Sequence, residues 1–278
     1  MKLRFSILLT SLLVLCLNSC HQPQPTKIIS YNIRLSTVDD GPNHWKLRKQ
    51  ATLRMIESEQ PAAFGLQEAM PEQLAYLDSN LTAYKRVGVG RDLGDESGEH
   101  CAIFYRAADF ECLEHKTLWL SETPEQPSFG WDAACKRTAT WLKLKNKTSG
   151  ECFWYINTHL DHIGKTARKE SVLLLTQWIE KLLEEEKLPV ILSGDMNSTL
   201  EDPIFEPLLA ILQVAQQTAS QTDVPYTYNG WGKVNPPSAI DHIFYTGVKP
   251  LVFDNLDHDF GVPFISDHYP IAFVWKSK

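Results

Sequence analysis

The sequence is short of positive charge: 27 lysines and arginines face 34 aspartates and glutamates, for a net charge of −7 over 278 residues. A chain that follows long nucleic acid by neutralising phosphates shows the opposite balance. The average argues against that class, although a local basic patch fits inside it. Cysteine is sparse and spread out. Besides Cys16 and Cys20 there are Cys101, Cys112, Cys135 and Cys152, without the close spacing of a structural zinc site. In an exported chain those four allow three complete disulfide pairings, and spacing does not choose among them or the alternative of buried free thiols. There is no internal repeat, second low-complexity linker or second long apolar run. The roughly 255 residues after the leader fit one large domain.

The leader is the first thing present. Lys2 and Arg4 precede an apolar core from Phe5 to Leu17, and Leu17-Asn18-Ser19-Cys20 closes it. The run is too short to span a bilayer comfortably and ends at a small-residue cleavage site. A cysteine directly after that site resembles a bacterial lipobox, with cleavage before Cys20 and lipid attached to it. An ordinary secretory signal with a chance cysteine is the alternative. Residues 1–19 are set aside as leader, 20–26 read as a proline-containing tether, and 27–278 as the domain. Without the two leader cations the remainder carries −9.

Along the domain, Lys27 to Arg34 alternates and is β-rich, predicting a strand that ends at Asn32. A helix follows over Trp45 to Glu59, with Leu47, Ala51 and Met55 on one face. Pro61 stops it, and a short buried strand from Ala62 delivers Glu68. Pro71 starts a helix through about Leu81. Strands are expected near 101–106, 110–120, 138–145 and 152–158, after a polar loop at 91–99. Gly164 opens a long helix with Val172, Leu175, Ile179, Leu182 and Leu183 as its stripe. Val190 to Leu192 then feeds Asp195, and late strands fall near 239–245 and 271–275. Strand–helix–strand units open each half and hairpin-like strands fill between. That order predicts two sheets packed face to face with helices outside.

Polar clusters stand at the strand ends. They are Tyr31-Asn32-Ile33-Arg34, Gly65-Leu66-Gln67-Glu68, Asn157-Thr158-His159-Leu160-Asp161-His162, Ser193-Gly194-Asp195-Met196-Asn197-Ser198, Ile240-Asp241-His242 and Ser266-Asp267-His268. Carboxylates at the ends of buried strands are held by rigid backbone, and hard oxygen ligands suit Mg²⁺ or Mn²⁺. Taken singly each cluster has a plainer reading: a solvated loop carboxylate for Glu68, a turn for Gly-Asp-x-Asn, a helix N-cap for Asp161.

Together and in this order, the six clusters resemble the endonuclease/exonuclease/phosphatase superfamily of metal-dependent phosphoesterases, over essentially all of residues 27–276. The resemblance implies an α+β fold, a four-layer α/β/β/α sandwich of two mixed sheets with outer helices and the site at one end of the sheets. It implies Glu68 as metal ligand, with Asn32 ligating or orienting beside it and Asp267 as an additional metal-side carboxylate. Asp195 would orient or deprotonate the attacking water, and Asn197 would hold phosphoryl oxygens. His268 would act as base or phosphate-polarising group, oriented by Asp241. His159 would donate to phosphate or to the leaving group, and Arg168 would pair structurally with a site carboxylate. Arg34 stands where other branches carry a second carboxylate, so a second metal there is open; Arg34 either contacts phosphate or pairs with an acid. Arg137 is a phosphate-side candidate. Trp131, Tyr228 and Trp231 are candidates for an aromatic wall, or else packing caps.

The expectation is a monomeric phosphoesterase using Mg²⁺ or Mn²⁺, acting on a small or lipid-derived phosphorylated substrate, and lipid-anchored in a bacterial envelope, on the outer membrane or periplasmic face. Nucleic acid is the alternative substrate. A non-catalytic envelope binding protein on the same fold is the alternative of another class. A sugar-cleaving surface protein would need paired carboxylates across a cleft, which leaves the Asn, His and Gly-Asp-x-Asn clusters unexplained.

Overall fold

The computed structural model describes residues 24–224, 226–235 and 238–278; the leader and Cys20 lie outside them. A seven-stranded sheet carries, in spatial order, β10 (Gln221–Thr222), β12 (Val248–Asn255), β13 (Ile271–Ser277), β1 (Thr26–Asn32), β2 (Ala63–Gln67), β4 (Ile103–Arg106) and β3 (Tyr84–Val87). A six-stranded sheet carries β5 (Phe110–Trp119), β6 (Thr138–Asn146), β7 (Cys152–His159), β8 (Val190–Asp195), β11 (Asp241–Thr246) and β9 (Gln213–Val214). β1 and β2 are parallel and joined through α1 (Trp45–Glu59). β7 and β8 are parallel and joined through α3 (Lys165–Glu185). Helix α2 (Pro71–Asn80) packs beside α1.

Three apolar interfaces give the four layers. Ile28, Tyr155, Ile191, Ile243 and Phe273 meet between the sheets. Ile29, Tyr31 and Phe64 face α1 and α2, while Trp154, Ile156 and Leu192 face Val172, Leu175 and Ile179 of α3. The cause is the period of two along each strand. In β1, Ile28 faces the partner sheet and Ile29 the helices, so Asn32 returns to the inter-sheet side. In β7 the same side carries Phe153, Tyr155, Asn157 and His159. In β8 it carries Ile191, Ser193 and Asp195.

The space between the sheets thus turns from apolar to polar towards one end. Asn157 marks the change. Its amide donates to the carbonyls of Leu66 (2.8 Å) and Ala102 (3.0 Å), and its oxygen accepts from Gln67 Nε2 at 2.6 Å. Gly65 makes room for it, since a Cβ there would lie 2.6 Å from Asn157 Cγ. Gly65→Ala is expected to cost about 1–3 kcal/mol through overpacking, read as a lower urea midpoint.

The predicted elements are present with two differences. The face of α1 was expected to include Leu47, but Leu47 is 62% exposed and Arg48 is buried instead. Arg48 donates to the carbonyls of Ile33, Arg34, Asn43 and Ile265, tying the exit of β1 to the loop before β13. Buried carbonyls need donors more than this helix needs another leucine. Strands β3, β9, β10 and β12 were not anticipated. The cysteines of the described residues, Cys101, Cys112, Cys135 and Cys152, are free thiols, and only Cys101 is buried.

Candidate active site

The polar ends of β1, β2, β7, β8 and β11 converge on a cleft of about 420 Å³. Asn32 is its hub. Its Nδ2 donates to Glu68 Oε1 at 3.0 Å and to Asp195 Oδ2 at 2.9 Å. Its Oδ1 accepts from the Arg34 backbone N–H at 3.0 Å, which fixes which end of the amide is oxygen. Asn32 therefore aligns two carboxylates. Glu68 Oε2 accepts from the Leu35 N–H at 3.0 Å, so the two edges of this carboxylate face different neighbours: Asn32 and Asp195 on one side, Arg34 and Asp267 on the other.

Asp195 ends β8 and accepts the Asn197 N–H at 2.9 Å. Asn197 Nδ2 lies 3.1 Å from His159 Nε2 and donates to the Leu160 carbonyl at 3.0 Å. His159 Nε2 is 3.4 Å, and His268 Nε2 is 3.7 Å, from Asp195 Oδ2. His268 Nδ1 meets Asp241 Oδ2 at 2.8 Å, and the Tyr228 ring lies 5.0 Å from the His268 ring. Arg34, Glu68 and Asn197 all have positive φ, at 58°, 60° and 48°. Only Asn adopts that region readily, so the site holds local backbone strain.

The two histidines are in opposite states. Burial lowers the pKa of His159, and the charges of Arg137 and Arg91 lower it further, so its imidazole is neutral. Burial also pulls His268 down, but Asp241 and then Asp195 outweigh it and raise it to about 10. Asp195 is raised by burial and by the charge of Asp241, against the pull of His268. A raised histidine stabilises the fold fully below its unfolded pKa near 6.5 and loses that contribution as pH approaches 10. Asp241→Asn removes the largest raising partner. His268 is then expected to titrate at least one pH unit lower by NMR.

The cleft also takes in Arg34, Arg91, Glu99, Arg137, Cys135 and His162. Arg137 donates to Asp161 Oδ2 at 3.3 Å and lies 3.0 Å from His162 Nδ1. Arg34 pairs with Asp40 as well as facing the cleft. Trp231 is not among the lining residues; its ring covers the Arg48 guanidinium at 5.5 Å. Trp131 also stands apart, its N–H towards Glu122. Arg168 was expected to meet a site carboxylate and instead donates to the backbone carbonyl of Asp161 at 2.8 Å. Asp161 accepts from Ile163 N and Gly164 N ahead of α3, while Asp132 takes the first-turn N–H groups of Thr166 and Ala167. Sequence reasoning missed Arg91 and Glu99, which form a two-pronged pair at 2.5 and 2.8 Å on the cleft wall. The run 91–99 holds four acids and one arginine, and nothing in it ranks Glu99 above the others.

Glu68, His159 and Asp195 offer atoms within 4.8 Å of one another, and so do Asp195, Asp241 and His268. With Asp267 nearby, the donors are mainly carboxylate oxygens, a set that fits a hard divalent cation.

A family model described as "Endonuclease/Exonuclease/phosphatase family" matches residues 29–268. A solved endonuclease/exonuclease/phosphatase from Bacteroides vulgatus is 32% identical, with a TM-score of 0.87 over 92% of this chain and 100% of that one. A mannosyl-6-phosphatase from Bacteroides thetaiotaomicron is also 32% identical, with a TM-score of 0.85 over 89% of this chain and 98% of that one. An uncharacterized protein from Acanthamoeba polyphaga mimivirus is 25% identical over 84% of this chain and 92% of its own length.

Proposed function

Since the chain belongs to the endonuclease/exonuclease/phosphatase family and is a phosphoester hydrolase, we propose that it is a metal-dependent phosphatase or phosphodiesterase of small, water-soluble phosphorylated substrates, sugar phosphates foremost. The observation that carries this reading is the cleft itself. About 420 Å³ is the size of a small-molecule pocket, and its wall carries Glu68, Asp195 and Asp267 together with Arg34, Arg91 and Arg137. The similarity to a mannosyl-6-phosphatase and the acidic balance support it.

Glu68, flanked by Asp195 and Asp267, would hold the cation, which offsets phosphoryl charge and lowers the pKa of water when bound. The chain's own groups divide the remaining work. Asp195 would take the proton of the attacking water, and His268, held charged by Asp241, stands beside it. His159, held by Asn197, would face the phosphoryl oxygens, and a bound dianion would raise its pKa, readying it to protonate the departing oxygen. Arg137, fixed by Asp161, adds a charge on the phosphate side.

The envelope setting is part of the same proposal. The leader ends in Leu17-Asn18-Ser19-Cys20, the pattern of a lipid-anchored protein. β1 runs from Thr26 to Asn32, so its first residue lies roughly 20 Å from the cleft end of the strand at a strand's rise per residue. Among the described residues no helix is long and apolar enough to cross a membrane.

The test is an assay of residues 27–278 with Mg²⁺ or Mn²⁺ on sugar phosphates, p-nitrophenyl phosphate, bis-p-nitrophenyl phosphate, phosphoinositide vesicles and plasmid DNA. Metal-dependent release of phosphate from sugar phosphates is expected. Preferential cleavage of the plasmid would favour the nuclease reading, and preference for vesicles would overturn the soluble-substrate part.

A further inference from the structure

Arg34 occupies the Asp267 side of Glu68 in a way that has a consequence for metal content. Its Nε and Nη2 grip both oxygens of Asp40, at 3.0 and 3.1 Å. The same guanidinium puts Nε 3.7 Å from Asp267 Oδ2 and Nη1 4.0 Å from Glu68 Oε2. One fixed positive charge thus sits among three carboxylates.

The backbone aims it there. The Arg34 N–H is committed to Asn32 Oδ1, and its carbonyl accepts from Arg48 Nη2 at 2.8 Å and Gln73 Nε2 at 3.0 Å. With φ at 58°, the residue lines the cleft, and the Asp40 pair holds its guanidinium in place. A divalent cation placed between Glu68 and Asp267 would meet this guanidinium at close range, where like charges repel strongly at low solvent exposure. On the other side of Glu68, the side chains of Glu68, His159 and Asp195 bring ligand atoms within 4.8 Å of one another.

We propose that Arg34 stands in for a second metal ion: the site takes one divalent cation, on the Asp195 side of Glu68, and the guanidinium serves as the permanent cation on the Asp267 side. Nη1 has no hydrogen-bond partner among the described residues and faces the cleft. It is placed to meet a phosphoryl oxygen or the leaving-group oxygen once substrate enters. The inference rests on the metal-site reading above.

The test counts ions without substrate. Chelator-stripped protein is titrated with Mn²⁺ and followed by calorimetry and by the electron paramagnetic resonance of free Mn²⁺. The wild type is expected to bind one ion per chain. Arg34→Gln, which vacates the charge, is expected to take a second ion at millimolar Mn²⁺, and Arg34→Lys, which keeps a cation, to stay at one. Turnover of Arg34→Gln should fall roughly tenfold or more and recover in part as Mn²⁺ rises. Two ions in the wild type, or one in Arg34→Gln, overturns the proposal while leaving a metallophosphoesterase intact. No ion in the wild type overturns both it and the metal reading on which it rests.

Discussion

Replacing Glu68 by glutamine is expected to lower kcat/KM by about 10³-fold or more and to weaken metal binding with it. A carboxylate ligand that becomes a neutral amide removes a full charge from the cation's shell, and charge stabilisation by a metal at a phosphoryl group is worth several kcal/mol. The change is nearly isosteric. The Leu35 N–H can still find an oxygen, but Asn32 Nδ2 and Leu35 N, which now donate to opposite oxygens of one carboxylate, cannot both be satisfied by one amide. A modest loss of stability should therefore accompany the loss of activity. Parallel urea unfolding and Mn²⁺ titration separate the two. A folded variant with unchanged turnover would remove Glu68 from the chemistry altogether. Asp195→Asn is expected to lose as much activity, but for another reason. Asn197 N–H still finds an oxygen acceptor, while the Nδ2 end of the new amide would face Asn32 Nδ2 and withdraw the proton acceptor from beside His268. Glu68→Gln should respond in part to higher metal concentration, and Asp195→Asn should not.

How much of this was legible in the chain depends on the range of the interactions. The polar clusters at the ends of β1 and β8 were readable because each closes a strand whose two sides follow from the period of two. Ile28, Ser30 and Asn32 lie on one side by the period of two, and Asp195 follows Ile191 and Ser193 in the same way. Residues two apart share a face whatever the tertiary structure, so local pattern sufficed. Leu47 shows the limit. An apolar residue at helical spacing is normally a core residue, yet the buried place went to Arg48 because four carbonyls converge there, from the turn before the helix, the exit of β1 and the loop before β13. No local pattern carries that information. β3, at the edge of its sheet, reads Tyr-Lys-Arg-Val, and β12 is broken by Pro250, where its register against β13 shifts. Both lack clean alternation and owe their pairing to neighbours already in place. Arg91 and Glu99 were hidden for the same kind of reason. Their pairing depends on the closing of the 90–99 loop, through Gly90 N to Asp95 O and Arg91 N to Glu99 O.

Asp161→Asn is expected to destabilise the protein by about 3–5 kcal/mol, the usual consequence of breaking a buried ion pair from one side. Asp161 is 1% exposed. One oxygen accepts from Ile163 N and Gly164 N, and the other from Ala134 N and Arg137 Nε. Burial alone would raise its pKa, but the backbone donors, led by Gly164, and the charge of Arg137 overcome that and hold it far below the usual carboxylate range. An asparagine can satisfy one pair of donors. Its NH₂ then confronts the other pair, leaving either the entry to α3 or the Arg137 guanidinium without an acceptor. The pH dependence has a definite sign. A depressed carboxylate contributes stability that is present above its unfolded pKa near 3.9 and is lost as pH falls through the lower folded value. The gap in urea midpoint between wild type and Asp161→Asn should therefore be full at pH 7 and shrink below about pH 4. A gap that stayed constant into acid would mean the carboxylate's charge is not what holds the segment. The same substitution reaches the cleft, because Arg137 loses the group that fixes it. KM for a phosphorylated substrate is expected to rise more than kcat falls, whereas Glu68→Gln should act mainly on kcat. This split distinguishes a residue that positions a phosphate-side arginine from one that holds the metal.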